Sequence, residues 1–559
     1  MKRFLSLLMV LVMMTAMLAA CGSENTDTAT EPAATTEAPA TTEAPATTEA
    51  SGAEQVLKWN VGADPKTIDP VLNGASEAGD VINQTFEGLT REKSGIVYPG
   101  IAESWEVSAD GMTVTFKLRE STWSDGSPLT AHDFVYSWKR GMDPLTASEY
   151  AWIWEYTNIV GAFEAVNGES LDNVGVKALD DYTLEVQLKT PTDYIVQLLS
   201  FYHFMPTKQS SVEAKAEGAW AKDPALAVSN GPFVLTSYTI GEGLTLEKNP
   251  NYWNAENVQL DRIDAVFIDE ESTAYQAYQS GELHFIPGVP SAEIPRLIAE
   301  DPNFYVFPLL GTYYYNFNME LELWQDERVR RAINMAIDRE QICETLGAGQ
   351  VPAAGFVPPG FLDHEGNDFF EVSGTYGLVT DLSQLEEAKA LLAEAGFPNG
   401  DGFPEFTIMY NTSEAHQMVA EMIQEMLKVN LGLESSLENQ EWAVFQDTRK
   451  VGDYELARGG WLTDYMDPSG LLSIFTTGNA YNDPKFSNEE YDRLLSLSTQ
   501  TGGAEHFEAL YAAQDILMNE LPIVPVYHYL DFMLVSDNVV GWDRSVLGTV
   551  DFSGASIME

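Results

Sequence analysis

Residues 1–53 of this chain cannot join a packed core, and that sets both how much is left to fold and the surroundings in which it folds. Lys2 and Arg3 precede an apolar run from Phe4 to Ala20, the charged start and short greasy stretch of an export signal. The run is too short to cross a bilayer comfortably. From Gly22 to Ala53 the composition is almost wholly Thr, Ala, Glu, Pro and Ser, and Glu37-Ala38-Pro39-Ala40-Thr41-Thr42 returns as Glu43-Ala44-Pro45-Ala46-Thr47-Thr48. With nothing apolar to bury, such a segment stays unfolded. Spaced prolines stiffen it and like-charged Glu side chains extend it, so it is expected to serve as a stalk.

Leu18-Ala19-Ala20-Cys21 resembles the lipobox of bacterial lipoproteins, small residues before a cysteine whose sulfur takes lipid. The alternative is an ordinary secretory signal that contains a cysteine; the stalk that follows argues against it. One acyl chain holds only reversibly, so two or more chains are expected on Cys21. The folded part is then tethered at the extracellular face of a cytoplasmic membrane. The long stalk points to a Gram-positive bacterium; with an outer membrane, the site would be the periplasmic face.

After these segments roughly 500 residues remain, too many for a single core, so two or more domains are expected. The 12 Trp, 24 Tyr and 26 Phe imply large aromatic clusters. The formal charge of −55 excludes nucleic acid as a partner, because the phosphates would be repelled. There are two cysteines. With lipid on Cys21, Cys343 has no partner; it falls in the helical pattern of Val329, Ile333 and Ile337 and reads as a small buried residue rather than a reactive thiol.

Val56-Leu57-Lys58-Trp59-Asn60-Val61 alternates as a strand does, as do Thr113 to Leu118 and Leu184 to Leu188. Asp110-Gly111 and Asp125-Gly126 mark turns. Thr130 with Asp133 has capping-box spacing and opens a helix through Phe134, Val135 and Trp138; Ser383 with Glu386 predicts a second, carrying Ala388, Leu391, Leu392 and Ala395 to Gly396. Strands and helices mix throughout, so the class is α/β mixed with several sheets. Chemistry is hard to find: no GxSxG elbow, Walker loop, HExxH or paired CxxC occurs. The seven histidines never pair at helical spacing, and Asp363-His364-Glu365-Gly366-Asn367-Asp368 lacks the alternating oxygens of a calcium loop. No catalytic residue, metal or cofactor is expected.

Ala102-Glu103-Ser104-Trp105 to Asp110-Gly111, the strand after it, and Trp123-Ser124-Asp125-Gly126-Ser127-Pro128-Leu129-Thr130-Ala131-His132-Asp133 together resemble the signature of the solute-binding proteins of peptide ABC importers, extracellular solute-binding family 5. The resemblance continues through Ile68-Asp69-Pro70, Phe86-Glu87-Gly88-Leu89, Asn230-Gly231-Pro232-Phe233, Asn249-Pro250-Asn251-Tyr252-Trp253, Asp326 to Ala332 and Leu521-Pro522-Ile523. Asn439-Gln440-Glu441-Trp442 and Ala457-Arg458-Gly459-Gly460-Trp461-Leu462-Thr463-Asp464 make it closest to the oligopeptide binders. It implies a two-lobed, three-domain periplasmic-binding-protein-like fold (type II, cluster C). The discontinuous first domain would take 54–89, 206–288 and 530–559, the second 90–205 and the third 289–529. It further implies a monomer, an oligopeptide held in the cleft by hinge closure, and delivery to the permease of an ABC transporter.

By the same resemblance, Asp464 receives the ligand's ammonium group, since a closed cleft strips water from a cation that then needs an anion. Trp461, Trp442 and Tyr150 wall the cleft, Glu77 faces the peptide, and Tyr529 lies beside its backbone. Arg458, Arg449 and His416 are the candidate cations for the carboxylate; His416 falls in the first turn of a helix capped near Ser413, whose free N–H groups also favour an anion. Core packing for the aromatic residues and structural ion pairs for the arginines are the alternatives. The family's arginine after Pro525-Val526-Tyr527 is missing: this chain has Asp531-Phe532-Met533 there. Dipeptides, nickel complexes, signalling peptides and oligosaccharides are rival ligands on the same fold. A secreted hydrolase, or an adhesin or chaperone without a cleft, is a rival function.

Overall fold

The strand Val56–Asn60 buries Leu57 and Trp59 and turns Lys58 to solvent, as its alternation requires. In this computed structural model residues 54–558 are described, apart from 94, 95, 193, 216 and 217; the expected export signal, Cys21 and stalk lie outside them. Val56–Asn60 pairs in parallel with Arg262–Val266 inside an 11-stranded sheet. From one edge the order is Phe233–Thr239, Gly243–Lys248, Arg262–Val266, Val56–Asn60, Phe285–Ile286, Ile523–Val535, Phe304–Phe317, Leu456–Leu462, Phe406–Asn411 and Ser435–Gln440. Val351–Pro352 adds against Ile523–Val535.

Two long strands, Phe304–Phe317 and Ile523–Val535, run through both halves of this sheet. Pro308 pairs with Leu530 and Thr312 with His528, so Leu309, Leu310 and Gly311 stand opposite Tyr529 alone and the register slips there. The half on the Val56 side draws its strands from three separate stretches of chain. A four-stranded antiparallel sheet (Ala102–Val107, Thr113–Leu118, Thr183–Gln187, Val176–Asp180) makes a further unit, with Phe134 and Trp138 of the helix Ala131–Met142 buried. The class is α/β mixed with several sheets, in keeping with the two-lobed, three-domain fold that the resemblance implies.

Thr130 opens its helix as its spacing implies: its N–H and hydroxyl reach the Asp133 carboxylate at 2.8 and 3.1 Å. Ser383 does not cap. Asp381 takes the Ser383 N–H (3.0 Å) in a tight turn, and the helix begins later, at Leu385, after Gln384. The pattern Val329, Ile333, Ile337 is likewise two helices, Glu327–Met335 and Arg339–Leu346, because Asp338 accepts from the Gln341 N–H and starts the second. Cys343 lies buried on that second helix, and burial pushes its thiol up to about 12.

The motifs that carry the resemblance meet in buried polar knots. Glu87 is wholly buried and accepts from Arg91 Nε (2.9 Å), Trp253 Nε1 (2.8 Å) and the Tyr252 hydroxyl. Asn230 accepts from the Glu87 N–H (3.1 Å) and donates to its carbonyl (2.8 Å). Gly231 packs so tightly that a Cβ would lie 2.5 Å from the Thr85 carbonyl carbon. Asp69 receives both prongs of Arg140 (2.9 and 2.6 Å) and Trp220 Nε1 (2.8 Å). Arg330 donates to the carbonyls of Trp324, Glu520 and Leu521, joining the Asp326 and Leu521 motifs. The first two knots anchor the helix Ser76–Thr85 and the loop before it. Glu87→Ala removes the nearer of the two carboxylates paired with Arg91, leaving Asp551 at 3.5 Å, and strips Tyr252 and Trp253 of their acceptor. It should cost about 3–5 kcal/mol, read as a lower midpoint in urea unfolding; an unchanged midpoint contradicts this account.

Candidate functional site

The strand Leu456–Leu462 supplies the floor. Its pleat turns Arg458, Gly460 and Leu462 to one face, and all three line a cavity of about 500 Å³ between the lobes. The paired glycines are steric necessities: a Cβ on Gly460 would sit 2.3 Å from the Tyr529 hydroxyl, and one on Gly459 2.6 Å from the Tyr314 ring. Beyond the strand the Thr463 hydroxyl donates to the Tyr465 carbonyl (2.6 Å), and this turn buries Asp464 against the cavity. Trp461 donates Nε1 to the Gly470 carbonyl (2.8 Å) and packs on Tyr481 and Tyr150, ring centroids 4.8 and 6.0 Å away.

All nine residues singled out in the sequence line this one cavity: Glu77, Tyr150, His416, Trp442, Arg449, Arg458, Trp461, Asp464 and Tyr529. Their electrostatic situations differ. Asp464 is 7% exposed and accepts from the Tyr150 hydroxyl at 3.1 and 3.2 Å. It forms no ion pair among the described residues, and burial drives its carboxyl well above the ordinary range although the Tyr150 bond opposes this. Glu77 is pushed up to about 7 by burial, against the Trp442 Nε1 bond of 3.0 Å.

Arg458 is 9% exposed, packs over the Tyr313 ring and donates Nη2 to the Tyr529 hydroxyl (2.8 Å); it too forms no ion pair among the described residues. Arg449 differs: its Nε lies 2.6 Å from Asp483 Oδ2, so its charge is already answered, the structural ion pair held as the alternative. His416 is corrected as a cation, because burial and the neighbouring Arg458 drive its ring well below its usual range and leave it neutral. Nor is its helix end free. Ser413 caps Glu414–Leu431, and the Glu271 carboxylate, from the other lobe, already accepts from the Ser413 hydroxyl (2.6 Å) and the Glu414 N–H (2.8 Å).

Asp80, one turn on from Glu77, is a wall residue that spacing on the helix makes legible; Tyr481, Lys450 and Arg544 carried no signal. A cation does stand beside Asp531, where the family's arginine is missing: Arg544. It donates Nε to Asp531 (2.6 Å) and lies 3.4 Å from Asp80, so the cation at this corner comes from another strand and arrives neutralised. Among the described residues, Glu270, Glu271 and Glu414 hold carboxylate oxygens within 4.8 Å of one another and could meet a metal; Glu271 is engaged as above. No helix of the described residues is long and apolar enough to cross a membrane.

The lobes are in contact. Tyr150 with Asp464, Trp442 with Glu77, Lys66 with Asp447 (2.8 Å) and Lys450 with Glu149 all bridge the cleft. A Cβ on Gly74 would fall 1.9 Å from the Tyr481 hydroxyl opposite. Gly74→Val should therefore fold normally yet resist closure, weakening ligand binding by at least about tenfold and abolishing ligand-induced contraction in small-angle scattering; normal contraction would contradict this. A second expectation concerns charge. A carboxyl raised in the folded state supports folding below its unfolded pKa and loses that contribution as pH rises through the native value. The cost of burying the Asp464 carboxyl therefore weighs against the closed, empty form as pH rises above the ordinary carboxylate range. Asp464→Asn should leave the melting temperature of ligand-free protein unchanged or higher at neutral pH, with the difference vanishing near pH ~4; a lower melting temperature at neutral pH would show a structural role instead.

Residues 97–483 match the model of the bacterial extracellular solute-binding proteins, family 5. The oligopeptide-binding protein OppA of Bacillus subtilis is 35% identical over 99% of this chain and 99% of its own. The Haemophilus influenzae OppA complex with the peptide RPPGFSPFR superposes with a TM-score of 0.83 at 32% identity, covering 90% of this chain and 99% of that one. The Escherichia coli murein tripeptide-binding protein MppA gives 0.84 at 32% identity, covering 90% and 99%. Its unliganded open form gives only 0.60 at the same identity, covering 90% and 97%, in keeping with lobes that here are closed.

Proposed function

Because the chain belongs to family 5 of the bacterial extracellular solute-binding proteins, we propose that it captures oligopeptides between its lobes and hands them to the permease of an ABC importer. The observation that carries this reading is the pair of buried ionisable groups on the cavity wall, Asp464 and Arg458, that have no ion-pair partner among the described residues. A closed cleft whose buried acid and buried arginine have no ion-pair partner among the described residues is suited to a zwitterion, ammonium at Asp464, with the half-buried Glu77 nearby, and carboxylate at Arg458. Between them the aromatic faces of Trp461, Tyr150 and Trp442 cover side chains without demanding one shape. A backbone lying extended along the cleft would gain hydrogen bonds that every peptide can make. The relatives named for oligopeptide and murein tripeptide binding support the ligand class. Oligosaccharides would leave both charges unmatched.

The activity is capture and release, with no covalent step. In this reading 54–89, 206–288 and 530–559 form the first domain, 90–205 the second and 289–529 the third, with the hinge at the register slip opposite Tyr529. The protein acts as a monomer, tethered outside the cytoplasmic membrane through lipid on Cys21.

Calorimetry with a tripeptide, its N-acetyl form and its C-amide tests the reading. Asp464→Ala should cost about 3–5 kcal/mol of binding and erase the preference for the free amine, while Arg458→Gln erases the preference for the free carboxylate. Equal affinity of the unsubstituted protein for all three forms would overturn it.

A further inference from the structure

The loop that presents Asp464 is held from behind by a buried ion pair outside the cavity wall. His506, on the helix Gly503–Glu520, is 7% exposed and Asp467 5%. His506 Nε2 lies 2.9 Å from Asp467 Oδ2, and Nδ1 lies 2.8 Å from the Ser498 carbonyl oxygen. Both neighbours are acceptors only, so both ring nitrogens must donate, which an imidazolium alone can do. The other Asp467 oxygen takes the Ser469 N–H (2.9 Å) and hydroxyl, and Ser469 reaches the Tyr465 hydroxyl (3.0 Å). One charge thereby holds the segment from Thr463 to Gly470 to the helix behind it.

From this geometry we infer that His506 is a positioning residue for ligand capture: its imidazolium, paired with Asp467, holds the Asp464 loop in its receiving position, and affinity falls when that proton is lost. The inference rests on the reading of Asp464 given above. The groups facing the ring are few. Asp467 on the loop is the charged one among the described residues; the Ser498 carbonyl comes from the helix Glu489–Gln500, and Phe507 packs edge-on from His506's own helix, ring centroids 5.0 Å away. Tyr194 and Tyr465, stacked at 5.1 Å, flank the carboxylate as neutral phenols. Burial lowers the His506 pKa, but Asp467 and the Ser498 carbonyl raise it further, so the net shift is upward. A histidine raised in this way contributes its full effect below its unfolded pKa and loses it as pH rises through the native value.

The test compares peptide dissociation constants of the intact protein and His506→Gln from about pH 6 to about pH 9. The peptide's own amine titrates equally in both and cancels in the ratio. The variant should bind about tenfold more weakly at the acid end, and the ratio should fall towards one as pH rises. If His506→Gln does not fold, Asp467→Asn removes the same pair with less change of shape and should give the same trend. Ring ¹⁵N shifts of the unsubstituted protein should show both His506 nitrogens protonated near neutral pH. A ratio independent of pH, or a singly protonated ring, overturns the inference while leaving the peptide reading intact. Failure of the unsubstituted protein to bind peptide overturns both.

Discussion

A carboxyl group shut away from water, with no cation to meet it among the described residues, is the constraint on which this molecule turns. Asp464 is buried by a turn just past the Leu456–Leu462 strand and, among the described residues, its side chain receives only the phenolic hydrogen bond of Tyr150. Such a group is costly in a sealed cavity unless something positive arrives with the seal. In the proposed function closure and ligand become one event: the contacts that join the lobes become favourable together with the ligand charge that balances Asp464. The cross-cleft pairs, Lys66 with Asp447 and Trp442 with Glu77, are modest by themselves, and modest contacts suit a protein that must also open.

The scaffold supports this by keeping polar satisfaction in the walls and away from the two exceptional groups. Glu87, Asp69 and Arg330 are buried and bonded several times over, and they pin the segments that lead to the cavity. Arg449 is paired with Asp483 and Arg544 with Asp531. Against that background Asp464 and Arg458 stand out because their neighbours are hydroxyls and rings rather than opposite charges. The glycines at 459 and 460 leave the space in which Arg458 and Tyr529 lie against the strand.

Much of this was legible in the sequence, for a physical reason. The motifs Phe86-Glu87-Gly88, Asn230-Gly231 and Asn249 to Trp253 lie far apart in the chain but form one buried knot, so each carries a geometric requirement on its residue types. Thr130 with Asp133 was legible because a cap is local. Ser383 was misread because Asp381, two residues earlier, competes for the same backbone N–H. The charge states were beyond spacing altogether. That Arg449 is paired depends on Asp483, that His416 is neutral depends on its burial and then on Arg458, and that the helix end at Ser413 is occupied depends on Glu271, each set by distant parts of the chain. The absence of the family's arginine around Asp531-Phe532-Met533 reads as a lost cation, whereas Arg544, thirteen positions after Asp531, brings a cation to this corner and pairs with Asp531.

The most direct measurement is a crystal structure of the protein with a bound tripeptide. The account predicts the peptide's ammonium nitrogen within about 3 Å of an Asp464 carboxylate oxygen, enclosed from solvent, with its carboxylate turned towards Arg458. A peptide bound with its ammonium group elsewhere, and Asp464 still bonded to Tyr150 alone, would contradict it.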